Sequence, residues 1–208
     1  LGNTGAQMGG WFRKEINTIE DLKGLKMRTP GLGGEVLTKM GGTVVNMPAG
    51  EIFTALQTGA IDATEWIGPY NDLALGLHKA SKYYYTPGWQ EPNVTFELDV
   101  NLKAWETLPD DLKAIVRAAA RDVNGDMLDD YNAKNMEALE QLREQGVEVR
   151  RLPDEVLARL KEVAAEVVDA SAKADPVAAK VWEQQSAYLK RLYEYAELNE
   201  KDIYNIRG

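Results

Sequence analysis

Hydrophobic and polar positions divide the chain near residue 100 into two halves with different patterns. In the first half, short apolar runs at residues 25–28, 43–47 and 61–66 alternate with helical patterns at residues 34–40 and 51–56. Glycine and proline separate these segments. Strands that alternate with helices favour an α/β unit with a parallel sheet and right-handed crossovers.

The second half predicts long helices. Alternating apolar residues at positions 94–102 first indicate a half-buried strand. Apolar residues then recur at spacings of three and four between Pro109 and Gly146, which predicts a long helix. Three more elements complete this half: a strand over residues 147–149 and helices over residues 154–174 and 176–197.

Composition and charge narrow the functional classes. The formal net charge of -9 gives the chain no attraction for a phosphate backbone, so nucleic acid is not expected as a partner. The absence of cysteine excludes disulfides, thiolate metal sites and cysteine nucleophiles. His78 is the single histidine, and dinucleotide, P-loop and serine-hydrolase motifs are absent. The sequence therefore predicts a protein that is not an enzyme.

Candidate binding residues stand where predicted strands end. Ligands of open α/β sheets bind at the carboxyl ends of the strands, and Arg28, Glu65 and Trp66 occupy such ends. Arg28 could hold a carboxylate with its planar fork, or form an ordinary surface ion pair. Glu65 and the Trp66 carbonyl could bind a hard cation, or be an exposed glutamate beside a packed tryptophan. The residues alone leave both alternatives open.

Three stretches together resemble a known family. They are GNTGAQMGGWF at residues 2–12, DLKGLKMR at residues 21–28 and LQTGAIDATEW at residues 56–66. In order and spacing they are similar to the solute-binding proteins of tripartite ATP-independent periplasmic (TRAP) transporters. The first stretch, with Glu65 and Trp66, resembles the branch that binds 2-oxo and 2-hydroxy monocarboxylates, such as pyruvate or lactate, with a cation.

The resemblance implies an α/β, periplasmic-binding-protein-like fold of two lobes, joined by hinge strands, that closes over its ligand. Residues 1–94 are expected to form most of the second, ligand-binding lobe. Residues 95–208 are expected to supply a hinge strand and long helices that complete and brace the first lobe. The beginning of the first lobe is expected upstream of this chain. Apolar surface left uncovered would then favour homo-oligomers.

The resemblance also assigns roles to individual residues. Arg28 is expected to pair with the substrate carboxylate. Gln7, Glu65 and the main-chain carbonyl of Trp66 are expected to hold a cation that bridges to the substrate. Oxygen ligands of this kind suit sodium or calcium better than zinc.

Further substrate contacts and a partner follow from the same resemblance. Asn3, Trp66 and Glu91 are further candidates for contact with the substrate. The protein is expected in the periplasm, where it would deliver the acid to a membrane-embedded TRAP permease. Two other classes are weighed against this expectation: a module whose long helices bind a partner, and a cation-dependent lyase that acts on 2-oxo acids.

Overall fold

The computed structural model describes residues 1–207, and the chain divides into two units. The first unit is Leu1–Val163, and the second begins at Ala164. All the strands named below lie in the first unit. The second unit is helical in the residues that are described.

Short strands form two sheets in the first unit. They are β1 (Gly2–Asn3), β2 (Gly10–Phe12), β3 (Lys26–Arg28), β4 (Thr43–Val44), β5 (Ala63–Thr64), β6 (Tyr83–Thr86), β7 (Thr95–Phe96) and β8 (Glu148–Arg151). The larger sheet has the order β4-β3-β5-β2-β6-β8. Within it β3 is parallel to β4 and β5, and β6 is parallel to β8, whereas β2 is antiparallel to both β5 and β6. The smaller sheet pairs β1 with β7.

Helices connect and follow these strands. They are α1 (Gly31–Lys39), α2 (Ala49–Thr58), α3 (Pro69–Ala74), α4 (Leu102–Thr107), α5 (Asp110–Glu144), α6 (Asp154–Lys173), α7 (Pro176–Leu198) and α8 (Glu200–Arg207). Two 3-10 turns add Ile19–Leu22 and Leu77–Lys79. Helix α7 begins as its sequence predicts, since Asp175 accepts hydrogen bonds from the amides of Val177 and Ala178, and proline occupies the first helical position.

The core of the first unit lies around the middle of the larger sheet. Trp11 of β2 and Tyr84 of β6 are fully buried and stack with ring centroids 4.1 Å apart. Ile52 and Leu56 of α2 and Leu142 of α5 belong to the same buried cluster. An aromatic pair packed between helices of both halves of the sequence gives the sheet a rigid centre.

The α/β class is confirmed, and so is the parallel unit formed by β3, β4 and β5. The antiparallel strand β2 between β5 and β6 makes the whole sheet mixed, which local patterns did not predict. The strand expected over residues 94–102 is reduced to β7, and its apolar side chains at Phe96, Leu98 and Val100 are exposed. The reason is its partner, since β1 offers only two residues for pairing.

Candidate anion and cation site

The sheet places Arg28 and Glu65 at the same edge. Strands β3 and β5 are parallel neighbours with Arg28 opposite Thr64, so Glu65 follows directly at the carboxyl end. The Arg28 Nη1 atom donates to Glu65 Oε1 at 2.6 Å and to the Glu65 carbonyl oxygen at 3.1 Å. The Glu65 amide donates back to the Arg28 carbonyl at 3.2 Å. The two residues predicted from strand ends are therefore direct partners.

This ion pair is almost entirely removed from solvent. The side chains of Arg28 and Glu65 are 14% and 2% exposed. Burial raises the pKa of Glu65 to about 7, because loss of solvation outweighs the attraction of Arg28, and the negative charges of Glu91 and Asp72 act in the same direction as burial. A carboxylate in this position is expensive to ionise, and a second cation beside it would stabilise the charge.

Trp66 contacts the same guanidinium from another side. The Arg28 Cζ atom lies 5.2 Å from the centroid of the Trp66 ring. A guanidinium at this distance from an aromatic ring is attracted by the ring quadrupole. The carboxylate of Glu65 and the ring of Trp66 together fix the orientation of Arg28.

Gln7 carries an acceptor with no partner. Its Nε2 atom donates to Thr4 Oγ1 at 3.3 Å, while its Oε1 atom is buried without a hydrogen bond. The next residue, Met8, donates its amide to the Ile67 carbonyl at 3.1 Å, which brings this segment beside the residues that follow Glu65. Buried acceptors in native proteins almost always have a partner, and a bound cation is one that would satisfy this oxygen.

Three of the predicted residues offer oxygen ligands of the kind that a hard cation prefers. They are an amide oxygen of Gln7, a carboxylate of Glu65 and a main-chain carbonyl of Trp66, all oxygen atoms. Within the part of the chain that the structure describes, no group of three His, Cys, Asp or Glu side chains could hold a metal. Oxygen ligands such as these suit sodium or calcium better than a transition metal.

A pocket of about 360 Å³ opens beside the ion pair. It is lined by residues 29–33, which join β3 to α1, and by Glu65, Gln90 and Glu91. The Nε2 atom of Gln90 donates to the Met8 carbonyl at 3.1 Å. A volume of this size is at the lower end of the range for small-molecule sites.

Two further pocket residues were not predicted as site residues. Thr29 Oγ1 and Gln90 Oε1 are buried without hydrogen-bond partners. Gln90 comes close because Gly33 has no side chain, since a Cβ atom there would lie 2.9 Å from the Gln90 Cβ. Thr29 follows Arg28, and Gln90 precedes Glu91, so proximity in sequence to a predicted residue was the available signal.

The remaining predicted residues are placed differently. Glu91 lines the pocket together with Glu65. Arg28, Trp66, Gln7 and Asn3 do not line it. Asn3 lies in β1 and accepts a hydrogen bond from the Gly5 amide at 2.8 Å. The structure thus brings together Arg28, Glu65, Trp66 and Glu91, sets the Gln7 segment beside them, and gives Asn3 a local role in its own turn.

The arginine and the buried carboxylate lie at adjacent strand ends, which is where small-ligand-binding proteins with open α/β sheets hold their ligands. Comparison with known proteins makes this class specific. Residues 1–175 match the family model described as bacterial extracellular solute-binding protein, family 7 (DctP). The chain belongs to this family. No helix within residues 1–207 is both long and apolar enough to cross a membrane.

Named relatives are similar over nearly the whole chain. A monocarboxylate 2-oxoacid-binding periplasmic protein of Nostoc is 44% identical over 204 residues, which are 98% of this chain and 56% of that protein. A TRAP periplasmic solute-binding protein of Colwellia psychrerythraea, solved with bound calcium and pyruvate, is 40% identical, with a TM-score of 0.94 over 98% of this chain and 62% of its own.

A second solved protein differs in its cation. The TRAP periplasmic solute-binding protein of Pseudoalteromonas atlantica, solved with bound sodium and pyruvate, is 39% identical, with a TM-score of 0.89 over 98% of this chain and 62% of its own. This chain therefore spans about three fifths of the length of these relatives.

Proposed function

We propose that this chain is the ligand-binding part of a TRAP solute-binding protein that captures a small 2-oxo or 2-hydroxy acid together with a cation. The observation that carries the proposal is the buried pair of Arg28 and Glu65 at one sheet edge, 2.6 Å apart, beside a pocket of about 360 Å³. The Nostoc, Colwellia and Pseudoalteromonas relatives support the choice of a 2-oxo monocarboxylate such as pyruvate.

Arg28 is the proposed anchor of the acid. Its guanidinium is held by Glu65 and by the ring of Trp66, so little side-chain entropy remains to be lost when a carboxylate binds. A planar guanidinium can pair with a carboxylate through two parallel hydrogen bonds, which gives both strength and orientation. Glu91 and Trp66 are proposed to contact the rest of the acid, and Asn3 remains a candidate for the same role.

The cation is proposed to bind between Gln7, Glu65 and the Trp66 carbonyl. When bound, it would neutralise the Glu65 carboxylate, which otherwise repels an anionic ligand. Arg28, which donates to Glu65 Oε1, and the cation would share the same carboxylate. Binding of the cation would therefore weaken the ion pair and leave more of the guanidinium for the acid.

The wider role of the protein extends these proposals. Residues 1–94 are proposed as most of the second lobe, and residues 95–208 as the hinge strand and helices that complete and brace the first lobe. Closure of two lobes over the acid would present a closed form to a membrane-embedded permease, in the periplasm. Exposed apolar side chains such as Val177, Tyr188 and Leu198 of α7 are consistent with self-association.

The alternatives have less support. The family is one of solute-binding proteins, which argues against the cation-dependent lyase. A lyase also needs a general base near the substrate, and Glu65 would be engaged by the cation. The partner-binding alternative predicts that removal of Arg28 leaves function intact, so the same experiment tests it.

Thermal unfolding with a panel of acids tests the proposal. Pyruvate, longer 2-oxo acids, lactate and dicarboxylates are each added with sodium, with calcium and with a chelator. A ligand at about 100 times its Kd stabilises a protein by about 2.7 kcal/mol, which raises the Tm. The Colwellia relative serves as the positive control for calcium and pyruvate.

We expect a Tm shift for a 2-oxo or 2-hydroxy monocarboxylate that requires a cation and is lost in Arg28→Ala. The matched control is Arg159→Ala, which removes an exposed arginine paired with Glu162 and should leave the shift unchanged. A cooperatively unfolding chain that no acid stabilises would contradict the proposal. Turnover of pyruvate would instead support the alternative of a cation-dependent lyase.

A further inference from the structure

A fully buried carboxylate lies behind the candidate cation site. Asp72 stands in the first turn of α3 and is 1% exposed. Its Oδ2 atom accepts hydrogen bonds from Trp11 Nε1 at 2.9 Å and from the Tyr84 hydroxyl at 2.7 Å. Its Oδ1 atom accepts from the Ile67 amide at 3.2 Å. One side chain thus connects the aromatic core to the segment that follows Glu65.

The Ile67 amide shares a peptide plane with the Trp66 carbonyl. This peptide bond is trans, so its N–H and C=O groups point in opposite directions within one rigid plane. The hydrogen bond from the Ile67 amide to Asp72 therefore fixes the direction of the Trp66 carbonyl. That carbonyl is directed away from Asp72.

The neighbouring peptide group is held as well. The Ile67 carbonyl accepts a hydrogen bond from the Met8 amide at 3.1 Å, so rotation of the segment would break contacts on both sides of Ile67. Asp72 is itself immobilised, since its two aromatic donors, Trp11 and Tyr84, are stacked and fully buried. The direction of the Trp66 carbonyl is thus set by the rigid centre of the sheet.

We propose that Asp72 is a positioning residue for cation binding, which orients the Trp66 carbonyl through their shared peptide group and increases the negative charge on its oxygen. A negatively charged acceptor on an N–H group polarises the whole peptide, because linked hydrogen-bonding groups strengthen one another. This inference rests on the proposed function, since it needs the Trp66 carbonyl to be a cation ligand.

Groups behind a metal ligand affect affinity in a characteristic way. Their removal typically weakens metal binding about 10- to 100-fold while the ligands themselves remain. A purely structural role for Asp72 would instead lower the stability and leave cation affinity in the folded molecules unchanged. The two roles therefore separate in a binding measurement.

Isothermal titration calorimetry of Asp72→Asn tests the inference. An amide offers one acceptor oxygen where the Asp72 carboxylate offers two, so the aromatic pair or the main-chain amides of Ile67 and Gly68 lose a partner. Calcium is titrated at saturating pyruvate, and pyruvate at saturating calcium. We expect the Kd for calcium to rise about 10-fold or more, and the Kd for pyruvate at saturating calcium to change by less than about threefold.

The matched control is Asp62→Asn. The Asp62 Oδ2 atom also accepts from a main-chain amide, but this amide is that of Lys26, at 3.0 Å, and not one that follows Trp66. This variant should leave both dissociation constants within about twofold of the wild type. If Asp72→Asn does not fold, Tyr84→Phe takes its place, since it removes one anchor of Asp72 and should weaken calcium binding about threefold.

Two results would overturn the inference while leaving the proposed function intact. One is an unchanged Kd for calcium in a folded Asp72→Asn protein with normal stoichiometry. The other is an equal rise in both dissociation constants, which would indicate general loss of structure. A wild-type protein that binds pyruvate without calcium or sodium would instead remove the cation site from the proposed function, and this inference with it.

Discussion

Two ion pairs of equal length lie in different surroundings. Arg28 and Glu65 meet at 2.6 Å at the edge of the sheet, with side chains 14% and 2% exposed. Lys173 and Asp169 also meet at 2.6 Å, on helix α6, with side chains 73% and 55% exposed. The distances alone would suggest equal interactions. Solvent makes them different, because water screens the exposed pair and is withheld from the buried one.

The buried pair is costly for the fold. Removing two charges from water costs several kcal/mol per ion before their attraction is counted, and a hydrophobic pair of similar size often stabilises a protein as well or better. The raised pKa of Glu65 shows that burial outweighs Arg28 here. A charged pair kept in such a place supports the proposal that it serves ligand binding rather than stability.

The largest expected effect is on acid binding by Arg28→Ala. Loss of one partner of a buried charge pair between protein and ligand costs about 2–5 kcal/mol, which is a factor of about 30 or more in Kd. Calorimetric titration of pyruvate at saturating calcium measures it. Arg28→Lys keeps the charge without the planar fork, and should recover only part of the affinity.

An unchanged pyruvate affinity in Arg28→Ala would contradict the functional difference between the buried and the exposed ion pair. The buried pair would then be a structural feature like its exposed counterpart, and another cation would have to be the anchor of the acid.

The next largest effect is on stability, and here the removal of a charged group should stabilise the protein. Glu65→Gln should increase the free energy of unfolding of the ligand-free protein at pH 7.5 by about 1–3 kcal/mol. The reason is that ionised Glu65 is disfavoured in the folded state, whereas it is solvated in the unfolded chain. Urea unfolding in the presence of a chelator measures the difference. The same variant should bind calcium more weakly.

The pH dependence of this difference follows from the raised pKa. Between pH 4.5 and about 7 the folded protein holds a proton on Glu65 that the unfolded chain releases, so the stability of the wild type falls as the pH rises. The advantage of Glu65→Gln should therefore shrink towards zero as the pH falls to 4.5. Asp72, whose pKa burial raises to about 6, titrates in both proteins, but its charge also acts on Glu65, so only part of its contribution cancels from the difference.

Glu162→Gln is the matched control for this substitution. Glu162 pairs with Arg159 at 3.0 Å, and its side chain is 66% exposed, so the change should alter stability little at any pH. A Glu65→Gln protein that is less stable than the wild type at every pH would mean that attraction to Arg28 exceeds the cost of burial.

Local sequence patterns predicted the part of this site that depends on strand ends. Alternation of strands and helices over residues 25–66 was sufficient to place Arg28 and Glu65 at one edge, because parallel strands end on the same side of a sheet. The predicted boundaries of the helices and strands were less accurate. Helix α1 begins at Gly31 rather than residue 34, since its first turn contains three glycines that intrinsic propensity disfavours.

Local sequence patterns could not predict the long-range contacts of the fold. Strand β2 inserts between β5 and β6 in antiparallel orientation, and nothing in its own three residues specifies those partners. The resemblance to a family, not the pattern, supplied Gln7. Asp72 was not singled out from the sequence, because its importance lies in contacts with Trp11, Tyr84 and Ile67, which are distributed over 74 positions of the chain (Trp11 to Tyr84).

The smallest expected effect completes the comparison at the exposed pair. Lys173 lies in the last turn of α6, where a positive charge favours the helix dipole, while Asp169 one turn earlier opposes it. Asp169→Asn therefore loses a pair worth about 0.3–0.5 kcal/mol and gains relief of a similar size, so its net effect on the free energy of unfolding should be close to zero. Lys173→Gln loses both contributions and should destabilise the protein by about 0.5 kcal/mol.

Urea unfolding at low and high salt measures both variants, and the loss of stability in Lys173→Gln should become smaller at high salt. A loss above about 1 kcal/mol for Asp169→Asn would mean that α6 is less exposed to water than its side chains indicate, and the contrast with Arg28 and Glu65 would narrow accordingly.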